Sequence, residues 1–267
     1  MSSDEERLRL HECIPQDGCS NGMCVLVLPG GGYHDNQSTW GYEGTDVAAV
    51  FRDLGFAAFA LQYTLEPRSW HGRTKSVRPA IEDGLAAVRR IRARARQLGF
   101  DNAKVCVLGF SAGAHLTMSM CREALETGQE LPDAAILAYA PARNPICPCV
   151  LGSLIVVPGF VDRAVPWSSL CAYDGGHRWC DLDAAAKAMP PTLLVASTRD
   201  RLLPPWKHGD LIRDALQKGC VACEYVCRDL GGHGFALNGW QSECMDWLRK
   251  QFELEQLQRK PSTCDAN

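Results

Sequence analysis

The chain has 267 residues, of which 46% are hydrophobic and 22% charged, and its formal net charge is -3. This length suits one large α/β domain or two small ones, and the composition is that of a globular protein with a substantial core. The small net charge indicates no strong attraction to nucleic acid or to an acidic membrane, so we expect neither as a partner. The N-terminal segment MSSDEERLRL is acidic, and no apolar run in the sequence reaches the roughly 18 residues that span a bilayer. We therefore expect a cytoplasmic protein.

Short apolar runs alternate with longer amphipathic stretches along the chain, and they predict buried strands and helices respectively. Strands that are apolar on both faces and separated by helices are typical of a parallel sheet covered on each side. In chain order, strands are predicted at residues 24–29, 56–63, 104–109, 134–140, 192–197 and 221–227, with a candidate edge strand at 7–13. Helices are predicted at residues 43–55, 77–98, 111–125, 205–218 and 238–257. We expect one α/β domain over residues 1–267.

Residues 141–190 depart from this alternation. They hold several prolines and no clean periodicity, and they include Trp167, Tyr173, His177 and Trp179. A long insertion between two sheet strands is often functional, so a lid-like insertion is one interpretation. A loosely helical lid or surface excursion without a ligand role is the other.

Two groups of residues suggest binding functions that we do not expect. The arginine run RRIRARARQ at 89–97 looks basic, but Val88, Ile91, Ala95 and Leu98 recur at helical spacing. This pattern predicts a solvated helix face rather than a nucleic-acid arm.

The fourteen cysteines form the second group. In a long chain without an export signal, reduced thiols are expected, although a bond such as Cys171 to Cys180 would form in an oxidising compartment. Neither the pair at 147–149 nor the cysteines at 220–227 has an obvious second pair of metal ligands, so no metal is predicted.

The segment Gly109-Phe110-Ser111-Ala112-Gly113 matches the pattern G-x-S-x-G. It lies between a predicted strand and a predicted helix, so the chain must turn sharply at the serine. Side chains two positions to either side would collide in such a turn, which explains the two glycines. The turn exposes the hydroxyl above the sheet, and the positive end of the helix favours developing negative charge. We predict that Ser111 is a nucleophile.

A serine hydroxyl needs a positioned base. Of seven histidines, only His233 lies just after the last predicted strand, between glycines, and we predict that it is the base. His115, one helical turn beyond the serine, is predicted to brace the neighbouring loop. The third member should be an acid that orients the imidazole. Asp200 directly follows the fifth predicted strand and is favoured by topology, while Asp229 is a rival because it lies near His233.

The glycine-rich stretch LPGGGYHD at 28–35 follows an early predicted strand. Glycines let backbone N–H groups approach a reacting carbonyl, so this turn predicts an oxyanion hole. The expected donors are the amides of Gly31, Gly32 and Ala112. A phosphate-binding loop is the alternative, but neither G-x-x-x-x-G-K-[ST] nor G-x-G-x-x-G with its acidic partner fits.

Three blocks of the sequence resemble α/β-hydrolases, and more narrowly the small esterase branch that includes acetyl xylan and other carbohydrate acetyl esterases. They are LPGGGY with the following YEG, the stretch from RPAIEDG to GFSAGAHL, and STRDRLLPP with GGHGFAL. The resemblance covers most of residues 24–257 and is weakest at 141–190. It implies the α/β-hydrolase fold, a Ser111, Asp200, His233 triad, and no metal or organic cofactor. The chain departs from many relatives at Ala114, where they carry glycine, and at Thr64, where they carry arginine.

These observations predict a serine carboxylesterase that acts on short-chain esters, acetyl esters first, with acetylated sugars among the candidates. Its partner would be a small-molecule ester. An amidase, arylformamidase or exopeptidase would use the same triad. A non-catalytic binding protein of this fold is a further alternative, but it would be expected to lose a triad member or the glycine turn, and all are present.

Overall fold

Seven strands form one sheet in the order β1-β3-β2-β4-β5-β6-β7 in the computed structural model, which describes residues 8–16, 20–33, 37, 39–65, 77–100, 102–142 and 182–252. The strands are β1 (Leu10–Cys13), β2 (Cys24–Leu28), β3 (Ala57–Leu61), β4 (Val105–Phe110), β5 (Ala134–Ala138), β6 (Thr192–Ser197) and β7 (Cys223–Arg228). The helices are α1 (Asp46–Asp53), α2 (Arg78–Gln97), α3 (Ala112–Thr127), α4 (Leu182–Lys187), α5 (Gly209–Lys218) and α6 (Gln241–Gln251).

Strands β2 to β7 pair in parallel, and β1 adds an antiparallel edge against β3. Every residue of β2 to β6 is buried. This burial explains why these strands carry apolar residues on both faces. The mostly parallel sheet predicted from the sequence is therefore confirmed, including the candidate edge strand near the N-terminus.

Helices cover both faces of the sheet and bury their apolar sides against it. Phe51 of α1 and Trp247 of α6 pack on one face, while Ile91 of α2 and Leu116 of α3 pack on the other. The arginine run of α2 lies opposite its buried residues, with Arg89 and Arg96 exposed. The amphipathic interpretation of this helix is confirmed.

Three helical segments differ from the prediction at their starts. A π-helical turn at Trp40–Thr45 precedes α1. Residues 205–218 are divided, because a short 3₁₀ turn at Pro205–Lys207 is followed by His208, which is not helical, before α5 begins at Gly209. Pro204 has extended backbone there, as residues before proline prefer. The last helix begins at 241 rather than 238, since Gly239 (φ 79°) and Trp240 (φ -140°) are not helical.

Residues 141–190 were predicted to be an irregular insertion, but α4 lies near their C-terminal end. Residues 143–181, with the cysteines at 147, 149, 171 and 180, lie outside the described residues, so the lid-like insertion and the disulfide stay predictions. In the part of the chain that the structure describes, no helix combines the length and apolar character needed to cross a bilayer.

Candidate active site

Ser111 sits at the turn between β4, which ends at Phe110, and α3, which begins at Ala112. Its backbone has φ 49° and ψ -113°, a conformation that L residues with a side chain rarely adopt. The Ser111 amide donates to the carbonyl of Ala138 at the end of β5 over 3.0 Å. The neighbouring strand thus helps to hold the strained turn.

The two glycines that flank Ser111 are required by close backbone contacts. A Cβ on Gly113 would lie 2.0 Å from the carbonyl oxygen of Leu28, and a Cβ on Gly109 would lie 2.4 Å from the carbonyl oxygen of Gly113. Real Cβ atoms essentially never come this close to backbone atoms. The sharp strand-to-helix turn predicted from the G-x-S-x-G spacing is therefore present, with the close backbone contacts that exclude side chains at both glycine positions.

Ser111, His233 and Asp200 form a continuous chain of hydrogen bonds. The Oγ of Ser111 lies 3.0 Å from Nε2 of His233, and Nδ1 of His233 lies 2.8 Å from Oδ2 of Asp200. An ionised carboxylate only accepts hydrogen bonds, so Nδ1 donates to Asp200 and Nε2 is left to accept from the Ser111 hydroxyl. This tautomer allows the imidazole to take a proton from the serine.

Asp200 is buried and held by two further hydrogen bonds. Its Oδ1 accepts from the amides of Leu202 (2.9 Å) and Leu203 (2.8 Å). Burial raises the pKa of Asp200, but the hydrogen bond and charge of His233 and the two amide bonds outweigh it, so the pKa lies below its ordinary value. Asp200 is therefore a fixed carboxylate at neutral pH.

The rival acid, Asp229, does not take this position. Its Oδ1 accepts from the amide of Gly231 over 3.1 Å, and its side chain is 61% exposed with an Arg199 nitrogen 3.8 Å away. Asp229 shapes the start of the loop that carries His233, whereas Asp200 contacts the imidazole.

The glycine turn lies beside Ser111. A Cβ on Gly30 would be 3.1 Å from the Cβ of Ser111, and the next three residues, Gly31 (φ 96°), Gly32 (φ 60°) and Tyr33 (φ 57°), all have left-handed backbone. Glycine adopts this conformation without strain, which allows the tight turn. The expected oxyanion donors Gly31 and Gly32 are thus in the turn next to the serine, and Ala112 follows the serine directly.

The hydroxyls of two tyrosines, Tyr63 and Tyr33, connect this turn to neighbouring parts of the fold. The hydroxyl of Tyr63 lies 2.9 Å from the carbonyl oxygen of Pro29 and 3.0 Å from that of Gly30. The hydroxyl of Tyr33 lies 2.8 Å from Nδ1 of His115. The prediction that His115 braces the neighbouring loop is confirmed by this contact.

The sequence analysis assigned no role to two buried residues of the site, Glu43 and Tyr139. Glu43 accepts hydrogen bonds from the amide of Gly30 and from the hydroxyl of Tyr139, each over 2.7 Å. The ring of Tyr139 packs edge-on to the imidazole of His233, with centroids 5.0 Å apart. The sequence shows Glu43 only as a residue at the start of a helix, because its partners are distant along the chain.

The described residues contain no group of three or more histidine, cysteine, aspartate or glutamate side chains placed to hold a metal ion. The chemistry available in the site is that of a hydroxyl, an imidazole, a carboxylate and backbone amides. Such a set supports proton transfer and nucleophilic attack.

A strained serine between strand and helix, with a histidine and an acid supplied by loops after later strands, is the arrangement of one class of enzymes. The model of the α/β hydrolase fold family matches residues 25–237 of this chain. The chain belongs to the α/β-hydrolase family.

Two curated relatives are similar to this chain at low sequence identity over most of its length. Endo-1,4-beta-xylanase B of Butyrivibrio fibrisolvens is 26% identical over 242 residues, covering 88% of this chain and 36% of the relative. Acetylxylan esterase of Xylanibacter ruminicola is 23% identical over 245 residues, covering 89% of this chain and 46% of the relative. The chain thus spans less than half of the length of either relative.

Solved structures agree on the fold. Carboxylesterase Cest-2923 of Lactobacillus plantarum has a TM-score of 0.68 at 19% identity, covering 92% of this chain and 93% of its own. The acetyl ester-xyloside bifunctional hydrolase of Caldicellulosiruptor lactoaceticus has a TM-score of 0.65 at 22% identity, covering 92% and 87%. At these identities the similarity shows the fold alone.

Proposed function

We propose that this protein is a serine carboxylesterase in which Ser111 is the nucleophile, His233 the base and Asp200 the acid that orients the imidazole. The observation that carries the proposal is the hydrogen-bond chain from the Ser111 hydroxyl through His233 to Asp200, with distances of 3.0 and 2.8 Å. The proposed reaction class is therefore the hydrolysis of carboxylic esters.

The reaction has two halves. Ser111 Oγ forms a bond to the ester carbonyl carbon while its proton passes to Nε2 of His233, and the amides of Gly31, Gly32 and Ala112 stabilise the oxyanion. The bond to the alcohol then breaks, and the alcohol leaves with the proton from His233. Water attacks the acyl-serine, gives its proton to His233, and the carboxylic acid leaves as Ser111 regains its proton.

A short acyl group, acetyl first, and a sugar alcohol are the proposed substrate features. The support comes from the relative named acetylxylan esterase and from the fold neighbour named acetyl ester-xyloside bifunctional hydrolase. A triad of serine, histidine and aspartate also serves amide hydrolysis in other enzymes, so an amidase or arylformamidase is the second candidate.

The test of the mechanism compares wild type with Ser111→Ala on 4-nitrophenyl acetate. Loss of the nucleophile is expected to lower kcat by about 10⁴-fold or more. Ser242→Ala is the matched control, because the Ser242 hydroxyl is on the surface and contacts Glu243. Equal rates from wild type and Ser111→Ala would refute the proposed role of Ser111.

The test of the substrate compares three series at equal enzyme concentration. Esters of rising acyl length are expected to give the highest kcat/KM at acetyl, and acetylated xylo-oligosaccharides are expected to release acetate. N-formyl arylamides serve as the amide series. Faster turnover of the arylamides than of any ester would favour the amidase.

A further inference from the structure

We propose that Glu43 is a positioning residue. It fixes the positions, relative to Ser111, of the glycine turn at residues 30–33 and of the histidine loop, which follows β7 and carries His233. This inference rests on the proposed function, since it assigns Glu43 a part in the same reaction. Glu43 lies in the π-helical turn before α1 and is 2% exposed.

One carboxylate oxygen of Glu43, Oε2, fixes the position of the glycine turn. Its Oε2 accepts from the amide of Gly30 over 2.7 Å, and a Cβ on Gly30 would lie only 2.8 Å from the same oxygen. Gly30 is also in close contact with Ser111. The carboxylate therefore sets how near the turn approaches the serine.

The direction of the Gly31 amide follows from these contacts. The carbonyl of Gly30 and the N–H of Gly31 belong to one planar peptide group and point in opposite directions. Tyr63 holds that carbonyl at 3.0 Å, while Glu43 holds the preceding peptide through the Gly30 N–H. Both peptide planes that meet at Gly30 are thus fixed, and with them the orientation of one predicted oxyanion donor.

The second carboxylate oxygen supports the histidine loop. Oε1 of Glu43 accepts from the hydroxyl of Tyr139 over 2.7 Å, and the same hydroxyl lies 3.3 Å from the amide nitrogen of Ala236. Tyr139 has φ 40°, and its ring packs against His233 and Phe235. Glu43 therefore contacts the glycine turn directly and the loop that carries His233 through the hydroxyl of Tyr139.

The charge of Glu43 is also suited to the reaction. Both bonds described here use Glu43 as an acceptor, which is the behaviour of an ionised carboxylate. Burial raises the pKa of Glu43 above its ordinary value, and the bonds from Tyr139 and Gly30 and the nearby charge of His233 offset only part of this rise. A negative charge at this position stabilises the imidazolium that forms when His233 takes the serine proton.

The test replaces Glu43 with glutamine, which keeps the size of the side chain and removes its charge. We expect kcat on 4-nitrophenyl acetate to fall by about 10–100-fold while KM changes less than about 3-fold, because the oxyanion is bound only in the transition state. Rates are expressed per active site titrated with a serine-reactive phosphonate, so that a loss of folded protein does not lower them.

Glu123→Gln is the matched control. Glu123 is the other buried glutamate among the described residues, and it pairs with Arg78 at 2.8 Å. Its replacement is expected to leave kcat per titrated site unchanged. If Glu43→Gln also retains kcat within about 3-fold of wild type, or loses activity only through KM, the positioning role is refuted.

Tyr139→Phe is a second, milder variant that removes one hydroxyl from the network. It is expected to lower kcat about 3–10-fold per titrated site, and an unchanged kcat would overturn the link to the histidine loop. Failure of the proposed function is distinguished by Ser111→Ala. If that variant keeps wild-type activity, the nucleophile is wrong; if it is inactive and Glu43→Gln is fully active, only the role of Glu43 is wrong.

Discussion

The hydroxyl of Ser197 donates to the carbonyl oxygen of Gly231 over 2.6 Å and accepts from the amide of Leu230 over 3.1 Å. Ser197 ends β6, three residues before Asp200, and is fully buried. Gly231 lies two residues before His233. One side chain therefore ties the loop of the proposed acid to the loop of the proposed base.

Replacing Ser197 by alanine is predicted to weaken both the fold and the reaction. The change leaves the partly buried carbonyl of Gly231 and the partly buried amide of Leu230 without this partner, which lowers the free energy of unfolding by about 1 kcal/mol. A looser histidine loop lowers kcat more than it changes KM. Urea denaturation and steady-state kinetics measure the two effects.

The control for this change is Ser242→Ala on the protein surface, which is expected to alter the free energy of unfolding by less than about 0.5 kcal/mol. If Ser197→Ala behaves like Ser242→Ala in both measurements, the two loops are held by other contacts.

Gly113→Ala is predicted to be among the most damaging single substitutions. The added Cβ would overlap the carbonyl oxygen of Leu28 at 2.0 Å, and rigid backbone on both sides prevents relaxation. We expect a loss of about 3 kcal/mol or more in the free energy of unfolding. Thermal denaturation monitored by circular dichroism measures it.

Gly232→Ala is the matched glycine variant, since a Cβ there has open space and the backbone is not left-handed. It should unfold within about 0.5 kcal/mol of wild type. A Gly113→Ala protein of equal stability would mean that the backbone of β2 is not in contact with the helix start.

Local signals explain what could be predicted from the sequence. The turn at Ser111 was predictable because the G-x-S-x-G spacing lies between a predicted strand and a predicted helix. The clash that requires Gly109 is with its near neighbour Gly113, whereas the clash that requires Gly113 is with the distant carbonyl of Leu28. The buried strands were predictable because a parallel sheet demands apolar residues on both faces. The short helix α4 was missed, since it has six residues and too few turns to show a period.

Long-range contacts explain what the sequence left open. Glu43 and Tyr139 are 96 positions apart, so no local pattern connects them. Asp200 and Asp229 both follow strands, and Asp229 is the nearer of the two to His233 in the chain. The two acids are distinguished only by the paths of their loops in space. The loop after β6 places Oδ2 of Asp200 2.8 Å from Nδ1 of His233. The roles of these residues in catalysis stay predictions.

Asp200→Asn and Asp229→Asn test that distinction in the reaction itself. An amide at position 200 can donate to Nδ1 and so favour the wrong imidazole tautomer, which in a comparable triad lowers kcat by about 10⁴-fold. The exposed Asp229 is expected to tolerate the change within a few-fold. A larger loss of kcat in Asp229→Asn than in Asp200→Asn would reverse the assignment.

The cysteines of the described chain are predicted to differ sharply in reactivity. Burial raises the pKa of Cys24 and Cys121 to about 12, whereas Cys220 and Cys227 are exposed. The thiolate is the reactive form, so an alkylating reagent at pH 7.5 should modify Cys220 and Cys227 first. Peptide mapping by mass spectrometry, with and without denaturant, measures this, and early labelling of Cys24 or Cys121 in the native protein would contradict it.

Glu43 is predicted to make stability depend on pH in the opposite sense to Asp200. The pKa of Asp200 is lowered on folding, so its contribution is complete above the unfolded value of about 3.9 and is lost as the pH falls through the folded pKa. The pKa of Glu43 is raised, mainly by burial, so its contribution is present below about 4.3 and is lost as the pH rises through the folded pKa.

Glu43→Gln removes the second of these titrations. The free energy of unfolding of the variant, relative to wild type, should therefore rise between about pH 4 and the folded pKa of Glu43 and then stay level. Tyr139, Tyr42 and His233 are the titratable groups around Glu43 in the described chain. The tyrosines have raised pKa values, and placing His233→Gln in both proteins removes the imidazole from the comparison. Urea denaturation from pH 4 to 8 measures the difference, and a difference that is constant over this range would show that the Glu43 carboxyl does not have a raised pKa.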